Sequence, residues 1–126
     1  MHRQKETAQD EAEAQPEEVD RLQPLPAGET PLVQADELTV HFPVRGGLWR
    51  CVRGYVRAVD GVSFRIRRGT TVGLVGESGS GKTTTGHCLV KLLSPNSGSI
   101  RYNGSEIGSL SKRAFFPYRK RIQMIF

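Results

Sequence analysis

Hydrophobic and polar residues alternate around residues 37–42, where every second side chain is apolar. The apolar positions are Leu38, Val40 and Phe42. A period of two residues is typical of a β-strand with one buried and one solvated face. We therefore predict a half-buried strand here, and we expect Pro43 to end it.

The next segment, residues 44–55, is basic and interrupted by glycines, which indicates a loop or an insertion. Residues 58–67 alternate again and predict a second strand. Its inward side chains would be Val62, Phe64 and Ile66. Residues 71–75, with the sequence TVGLV, form a short apolar run that predicts a third strand, buried on both faces.

A helix is predicted over residues 82–93, because apolar side chains recur there at helical spacing. These side chains are Leu89, Val90, Leu92 and Leu93. Ser94 and Pro95 follow at once and should close the helix. A glycine-rich stretch separates this helix from the apolar strand before it, so the local order is strand, glycine loop and helix.

Residues 99–102 and 105–107 flank the dipeptide Asn103-Gly104. Both residues of this dipeptide tolerate a positive φ, which a two-residue hairpin turn requires. The pattern therefore predicts a tight β-hairpin.

The last part of the chain combines a basic cluster with an apolar end. Ser109 or Ser111 could cap a short helix through the cluster, although Pro117 fits poorly inside it. Residues 122–126, IQMIF, predict a strand that enters a core. Such a strand normally continues into further chain, so we expect the sequence to be a piece of a longer protein.

The beginning of the chain has a different composition. Residues 1–20 contain seven acidic and two basic residues and no aromatic one, which is typical of a disordered segment. Prolines and Gly28 interrupt residues 24–31. We therefore predict a disordered acidic tail and linker over residues 1–30 and a folded domain over residues 31–126.

The formal net charge is +5, and because the tail is acidic the folded part is strongly basic. A basic surface suits a polyanionic partner, although such charge runs are often only solvated faces. Cys51 and Cys88 have no metal-ligand or disulfide spacing, which favours a reducing cytosol. The sequence shows neither a signal peptide nor an apolar run long enough to span a bilayer.

The glycine loop matches the pattern G-x-x-x-x-G-K-[ST], which binds nucleoside triphosphate phosphates. Its residues are Gly76, Glu77, Ser78, Gly79, Ser80, Gly81, Lys82 and Thr83, with Thr84 following. Glycines allow successive N–H groups to form an anion-binding concavity, to which the helix adds the positive end of its dipole. A glycine-rich strand-to-helix turn without this role would explain neither the lysine nor the threonine.

The expected ligand is Mg-ATP, with Lys82 bridging phosphate oxygens and the Thr83 hydroxyl as a magnesium ligand. Backbone N–H groups from Ser78 to Thr84 would cover the phosphates. Hydrolysis also needs an acid that holds magnesium and a residue that positions water. We assign no catalytic role to Glu77, Asp60 or Glu106.

Five segments in this order carry a family resemblance: LTVHFPV (residues 38–44), VRAVDGVSFRIRRG (56–69), GLVGESGSGKTT (73–84), LLSPNSGSI (92–100) and RKRIQMIF (119–126). Together they resemble the ATP-binding subunits of ABC importers for oligopeptides, dipeptides and nickel. The resemblance implies an α/β P-loop NTPase fold with an antiparallel β-subdomain, here incomplete. It also implies a cytoplasmic protein, peripheral on the cell membrane, that assembles with transmembrane permease subunits and a second ATP-binding subunit as a head-to-tail dimer.

In that family an aromatic residue upstream of the loop stacks on adenine. Phe42 ends the first strand where the family often places it, and Tyr55 and, less favourably, Trp49 are competitors. Each of them could instead be a packing residue. Nucleic acid is not an expected partner in this interpretation.

The resemblance also implies that residues beyond Phe126 would supply the glutamine loop, the signature motif, the catalytic glutamate and the switch histidine. His2, His41 and His87 match none of these positions. The isolated chain is therefore expected to be an inactive part of an ATPase. Two alternatives stay open: another P-loop NTPase such as a nucleotide kinase, and a basic nucleic-acid or lipid-binding module.

Overall fold

The computed structural model describes residues 25–46 and 51–126. Its elements in chain order are β1 (Val33–Gly46), β2 (Cys51–Ile66), α1 (Lys82–Leu89), β3 (Ser97–Tyr102), β4 (Ser105–Glu106) and a 3₁₀ helix (Phe116–Lys120). The strands form one antiparallel sheet in the order β2-β1-β3-β4. The predicted acidic tail, residues 1–20, lies outside the described residues.

The core forms where one face of the sheet meets α1 and the chain that follows β4. Its buried members are Leu38, Val40, Val59, Cys88, Ile100, Ile107 and Phe115. Phe115 stacks on Tyr118 with ring centroids 5.8 Å apart, and Tyr118 contacts Tyr102 edge-on at 5.9 Å. The 3₁₀ helix is thereby attached to the sheet by aromatic contacts.

Two bulges change the side-chain period that the sequence predicts. On β1, Glu37 adopts a φ of 48° between Ala35 and Leu38, so these two residues are both buried although they are three positions apart. On β2, Gly61 has a φ of 68° and shifts the register in the same way. Val62 therefore packs against the core edge, and Val59 is the β2 residue buried within it.

Pro43 does not end β1, and residues 44–55 are not a loop in their described part. β1 continues to Gly46 and pairs with β2, with Pro43 opposite Tyr55 and Gly46 opposite Cys51. β3 pairs with β1 only as far as Thr39. Beyond that point β1 has one neighbouring strand in the part of the chain that the structure describes, so a proline without an N–H is tolerated there.

The strands predicted at residues 71–75 and 122–126 are absent. Residues 69–80 are exposed throughout, with Val75 84% exposed, and Ile125 is 97% exposed. A strand buried on both faces needs hydrogen-bonded strands beside it and packed layers above and below. Within the described part of the chain no strand pairs with either segment.

α1 is shorter than predicted because the chain turns off after Leu89. Lys91 adopts the left-handed conformation, with a φ of 59°, and its N–H donates to the Cys88 carbonyl at 3.1 Å. The Leu92 N–H donates to the His87 carbonyl at 2.8 Å. This is a Schellman motif, which sequence reading recognises by a glycine at the position that Lys91 occupies here.

The predicted hairpin is present. β3 and β4 pair through Tyr102 and Ser105, and the two turn residues Asn103 and Gly104 have φ values of 49° and 81°. Positive φ at both central residues is the geometry of a type I′ turn. Strand β3 begins at Ser97, two residues earlier than predicted, and β4 ends at Glu106, one residue earlier than predicted.

The predicted short helix is a 3₁₀ helix in which Pro117 occupies the first turn, where its missing N–H breaks no hydrogen bond. The prediction that a serine caps this helix was wrong, because its N-cap is Phe115, without a side-chain hydrogen bond. Ser111 Oγ instead accepts from the Ala114 N–H at 3.2 Å, in the turn before the helix. Ser109 has no capping role and its own N–H donates to Glu106.

Candidate nucleotide-binding site

The glycine loop lies between β2 and α1 and is closed by contacts with both. The Ser80 N–H donates to the Glu77 carbonyl at 3.2 Å and forms the turn at its tip. Gly81 then passes β2 so closely that a Cβ there would lie 2.0 Å from the Ala58 carbonyl oxygen, and its φ is 90°. Only glycine fits at this position, for reasons of space and of backbone conformation.

Lys82 places its ammonium inside this loop. Its Nζ donates to the Gly76 carbonyl at 2.7 Å, to the Glu77 carbonyl and to Ser80 Oγ at 3.1 Å. The lysine thus reaches back across the loop from the first residue of α1. A positive charge held within a loop of main chain can pair with the negative charge of a phosphate group.

The first turn of α1 presents unpaired hydrogen-bond donors at the same place. Gly81 provides no side-chain cap, and no residue within 25–46 or 51–126 accepts the N–H groups of Lys82, Thr83 or Thr84. The free N–H groups at the start of a helix carry partial positive charge. These free N–H donors and the positive charge of Lys82 are complementary to the acceptor oxygens of a phosphate chain.

Thr83 is exposed and occupies the second helical position, so its hydroxyl is accessible from the loop. The described residues contain no group of three His, Cys, Asp or Glu side chains that could hold a metal ion by itself. A magnesium ion at Thr83 would therefore take most of its oxygen ligands from phosphate and water, which is how this ion commonly binds.

Thr85 is a residue of this site that the sequence reading missed. It is buried, and both its N–H and its hydroxyl donate to the Gly81 carbonyl, at 2.8 and 3.0 Å. This pair of bonds fixes the start of α1 at the end of the glycine loop. The available signal was a threonine four residues after a helix cap, because its hydroxyl can bond the carbonyl of residue i−4.

The register of β1 and β2 separates the two described aromatic candidates. Val40 faces α1, because its partner Val59 lies 3.4 Å from a Cβ built on Gly81. Phe42 follows Val40 by two residues on β1 and so lies on the same face as the loop. Tyr55 is opposite Pro43 and therefore lies on the other face.

Exposure agrees with this division, since Phe42 is 38% exposed and Tyr55 65%. The outer face also carries His41, which contacts Asp60 at 3.4 Å. Trp49 lies outside the described residues. The loop and Phe42 therefore share one face of the sheet, and Tyr55 does not.

The last turn of α1 and the turn that follows it are anchored by two buried side chains, Cys88 and Lys91. Burial raises the pKa of the Cys88 thiol, and the nearby charge of Lys91 partly opposes this shift. Lys91 is itself buried, with its ammonium bonded to the Gly108 carbonyl. Cys88 is thus a neutral core side chain and has no feature of a nucleophile.

Comparison with known proteins identifies the family of this chain. The family model described as ABC transporter matches residues 59–126, which is more than half of the chain. The chain belongs to the ABC transporter family. Other classes of P-loop protein, such as nucleotide kinases, are thereby excluded.

Several ABC transporter proteins are similar to this chain in sequence. An oligopeptide transport ATP-binding protein of Bacillus subtilis, AppF, is 41% identical over 101 residues, which are 79% of this chain and 31% of that protein. A glutathione import ATP-binding protein of Salmonella paratyphi A, GsiA, is 46% identical over 96 residues, 76% of this chain and 15% of that protein. The chain thus spans less than a third of either relative.

Solved structures identify the fold as that of ABC transporter cassettes. A dimeric ATP-binding cassette with bound ADP and Pi matches 70% of this chain and 35% of its own length, with a TM-score of 0.60 and 22% identity. The predicted fold class, an incomplete ABC ATP-binding domain with an antiparallel β-subdomain, is confirmed. No helix in the described residues has the length and apolar character needed to cross a bilayer.

Proposed function

We propose that this chain supplies the Walker A face of an ATP site in an ABC importer for oligopeptides or related small peptides. One observation carries the ATP part of the proposal. The Lys82 ammonium and the unpaired N–H groups at the start of α1 converge on a single glycine loop. All of these donors are complementary to a chain of phosphates.

Within this site the residues have separate roles. The main chain of residues 76–84 would cradle the phosphates, and Lys82 would exchange its carbonyl partners for phosphate oxygens. The Thr83 hydroxyl would hold the magnesium ion. We propose Phe42 for the adenine contact, because it shares a face with the loop and Tyr55 does not. Bound Mg-ATP would supply the phosphoanhydride bond whose hydrolysis drives transport.

The described residues bind and orient but do not provide a general base. The Glu77 contact with Lys82 is made by its main-chain carbonyl, and Asp60 lies on the outer face with His41 and Arg57. Glu106 accepts from the Gly108 N–H at 2.9 Å, which makes it a structural side chain. Hydrolysis therefore requires further groups, which a second ATP-binding subunit and other parts of a longer protein would provide.

The names of the relatives support a proposal about the class of the transported solute. AppF is an oligopeptide transport protein and GsiA a glutathione import protein, and both names describe short peptides. We propose the same solute class here, with permease subunits as partners and a position on the cytoplasmic face of the membrane. A second ATP-binding subunit would complete the site.

The test compares Lys82→Ala with Lys120→Ala in the full-length protein. Lys120 is an exposed residue of the 3₁₀ helix and loses the same charge. Loss of a charged hydrogen-bonding partner costs up to about 3 kcal/mol, so we expect Lys82→Ala to weaken Mg-ATP binding by roughly 100-fold. The Lys82→Ala protein should also fail to take up a labelled oligopeptide. Lys120→Ala should leave both Mg-ATP binding and uptake unchanged.

Unchanged Mg-ATP affinity in Lys82→Ala would favour the alternative of a basic binding module with an incidental loop. Loss of ATP binding with normal peptide uptake would contradict the importer role. In the same titration Phe42→Ala should weaken binding about tenfold, as expected for one lost aromatic stacking contact, and Tyr55→Ala should not.

A further inference from the structure

The two-stranded part of the sheet, residues 42–46 with residues 51–57, is here called the ribbon. β3 stops pairing with β1 at Thr39, so within residues 25–46 and 51–126 no third strand pairs with the ribbon. Its apolar side chains are exposed on both faces: Val52 by 49% and Tyr55 by 65% on the outer face, and Val44 by 45% and Val56 by 54% on the face of Phe42. A lone pair of strands is only marginally stable in water, and such exposure indicates a surface that a partner covers.

The ribbon is also uniformly basic. Residues 42–57 contain no Asp or Glu. Arg45 and Arg53 have no ion-pair partner among the described residues, and Arg57 contacts Asp60 at 3.4 Å with its side chain 71% exposed. Arginine charges without nearby acids attract a partner that carries many negative charges.

Arginines and apolar side chains are interleaved on the ribbon. Arg45 and Tyr55 belong to the outer face, next to Arg57 two positions along β2. Arg53 lies over Gly46 near the end of the ribbon, where its Cδ would be 3.0 Å from a Cβ on that glycine. Three cations and several aliphatic side chains therefore occupy one short projection.

We propose that the ribbon docks on a membrane surface rich in anionic phospholipid. The arginines would contact the headgroup phosphates, and Val52 and Tyr55, which share the outer face with Arg45 and Arg57, would enter the boundary between headgroups and acyl chains. Nucleic acid would use the arginines but would gain little from exposed valines. Because the outer face of the ribbon is turned away from the glycine loop, lipid and nucleotide can be bound together.

The test uses the full-length protein, with permease subunits left out, and vesicles of phosphatidylcholine with or without phosphatidylglycerol. Each arginine near an anionic surface strengthens binding about fivefold, so Arg45→Gln/Arg53→Gln/Arg57→Gln should weaken partition by roughly 100-fold. The control, Lys112→Gln/Arg113→Gln/Lys120→Gln, removes the same charge from exposed positions elsewhere and should change partition only slightly.

A second variant examines the apolar side chains. Val52→Ser should weaken partition several-fold and leave its salt dependence unchanged, whereas the arginine variant should remove most of that dependence. Unchanged Mg-ATP affinity and an unchanged melting temperature would show that both variants are folded. Unchanged Mg-ATP affinity would also show that the loss of vesicle binding does not depend on the proposed ATP site.

Three results would overturn the proposal. One is equal loss in the arginine variant and its control, which would mean a response to net charge alone. Another is no vesicle binding by the native protein. The third is binding to a DNA duplex that the arginine variant loses and the valine variant keeps.

Discussion

The antiparallel sheet and the two apolar segments at residues 71–75 and 122–126 show contrasting outcomes for similar sequences. All are rich in β-branched or large aliphatic residues. In the sheet, Leu38 and Ile100 are 0% exposed, whereas Val75 and Ile125 are almost fully exposed. Apolar composition alone therefore did not decide which segment became a strand.

The difference lies in how far apart along the chain the neighbouring strands are. Every partner of β1 and β3 comes from residues 33–106, and successive strands can pair through tight turns such as Asn103-Gly104. A buried strand of an α/β core needs parallel neighbours, which require long crossover connections. The relatives, of which this chain covers 31% or less, are long enough to contain such connections.

The largest expected effect separates the two regions directly. Leu38→Ala should destabilise the 126-residue chain by about 2–5 kcal/mol, because it removes a fully buried side chain from the core. Val75→Ala should change the free energy of unfolding by less than about 0.5 kcal/mol. Urea denaturation followed by circular dichroism measures both. Similar losses in the two variants would mean that residues 71–75 are packed.

A smaller effect is expected from the contact between residues 122–126 and α1. Gly86 has no side chain on the helix, and a Cβ there would lie 2.6 Å from the Met124 Cε. Alanine in a helix is about 1 kcal/mol more favourable than glycine, but in the native chain Gly86→Ala must displace Met124. The gain should therefore be incomplete.

A double-mutant cycle isolates this contact. In a Met124→Ala background nothing opposes the substitution, so Gly86→Ala should stabilise by the full amount, about 1 kcal/mol. Thermal unfolding of the four chains gives the coupling. Equal effects of Gly86→Ala in both backgrounds would show that Met124 does not contact the helix.

The smallest expected effect concerns the buried thiol beneath the loop. The pKa of Cys88 is raised above the ordinary 9.0, so the folded chain keeps this proton at a pH where the unfolded chain loses it. The stability that Cys88 contributes is complete below pH 9.0 and declines as the pH rises from there through the folded pKa. The advantage of the native chain over Cys88→Ala should shrink over this range.

Chemical denaturation at a series of pH values, in a Cys51→Ser background, measures this difference. Other groups titrate in the same range, but they do so in both chains and cancel. A difference that stays constant or grows above pH 9.0 would contradict a raised pKa.

Local sequence rules were sufficient where local geometry controls the structure. The Asn103-Gly104 turn and the glycine loop before α1 follow from residue types at fixed spacing. The rules failed where distant contacts intervene. The end of α1 was misjudged because Lys91 takes a left-handed conformation while its side chain bonds Gly108.

The site divides in the same way. The spacing from Gly76 to Thr83 predicts a phosphate-binding loop, and its role in ATP binding stays a proposal. The choice between Phe42 and Tyr55 could not be made from sequence, because two bulges and a register that pairs Pro43 with Tyr55 decide which face each side chain occupies.

The sequence alone determined that a lysine, a threonine and three glycines would meet in one turn, because these residues are adjacent in the chain and glycine permits the required φ. Only the tertiary structure decided that the turn would be fixed against Ala58, with Phe42 on its face of the sheet. It also decided that residues 42–46 and 51–57 would pair as a basic ribbon. These outcomes depend on strand register, which is set by the packing of a whole sheet.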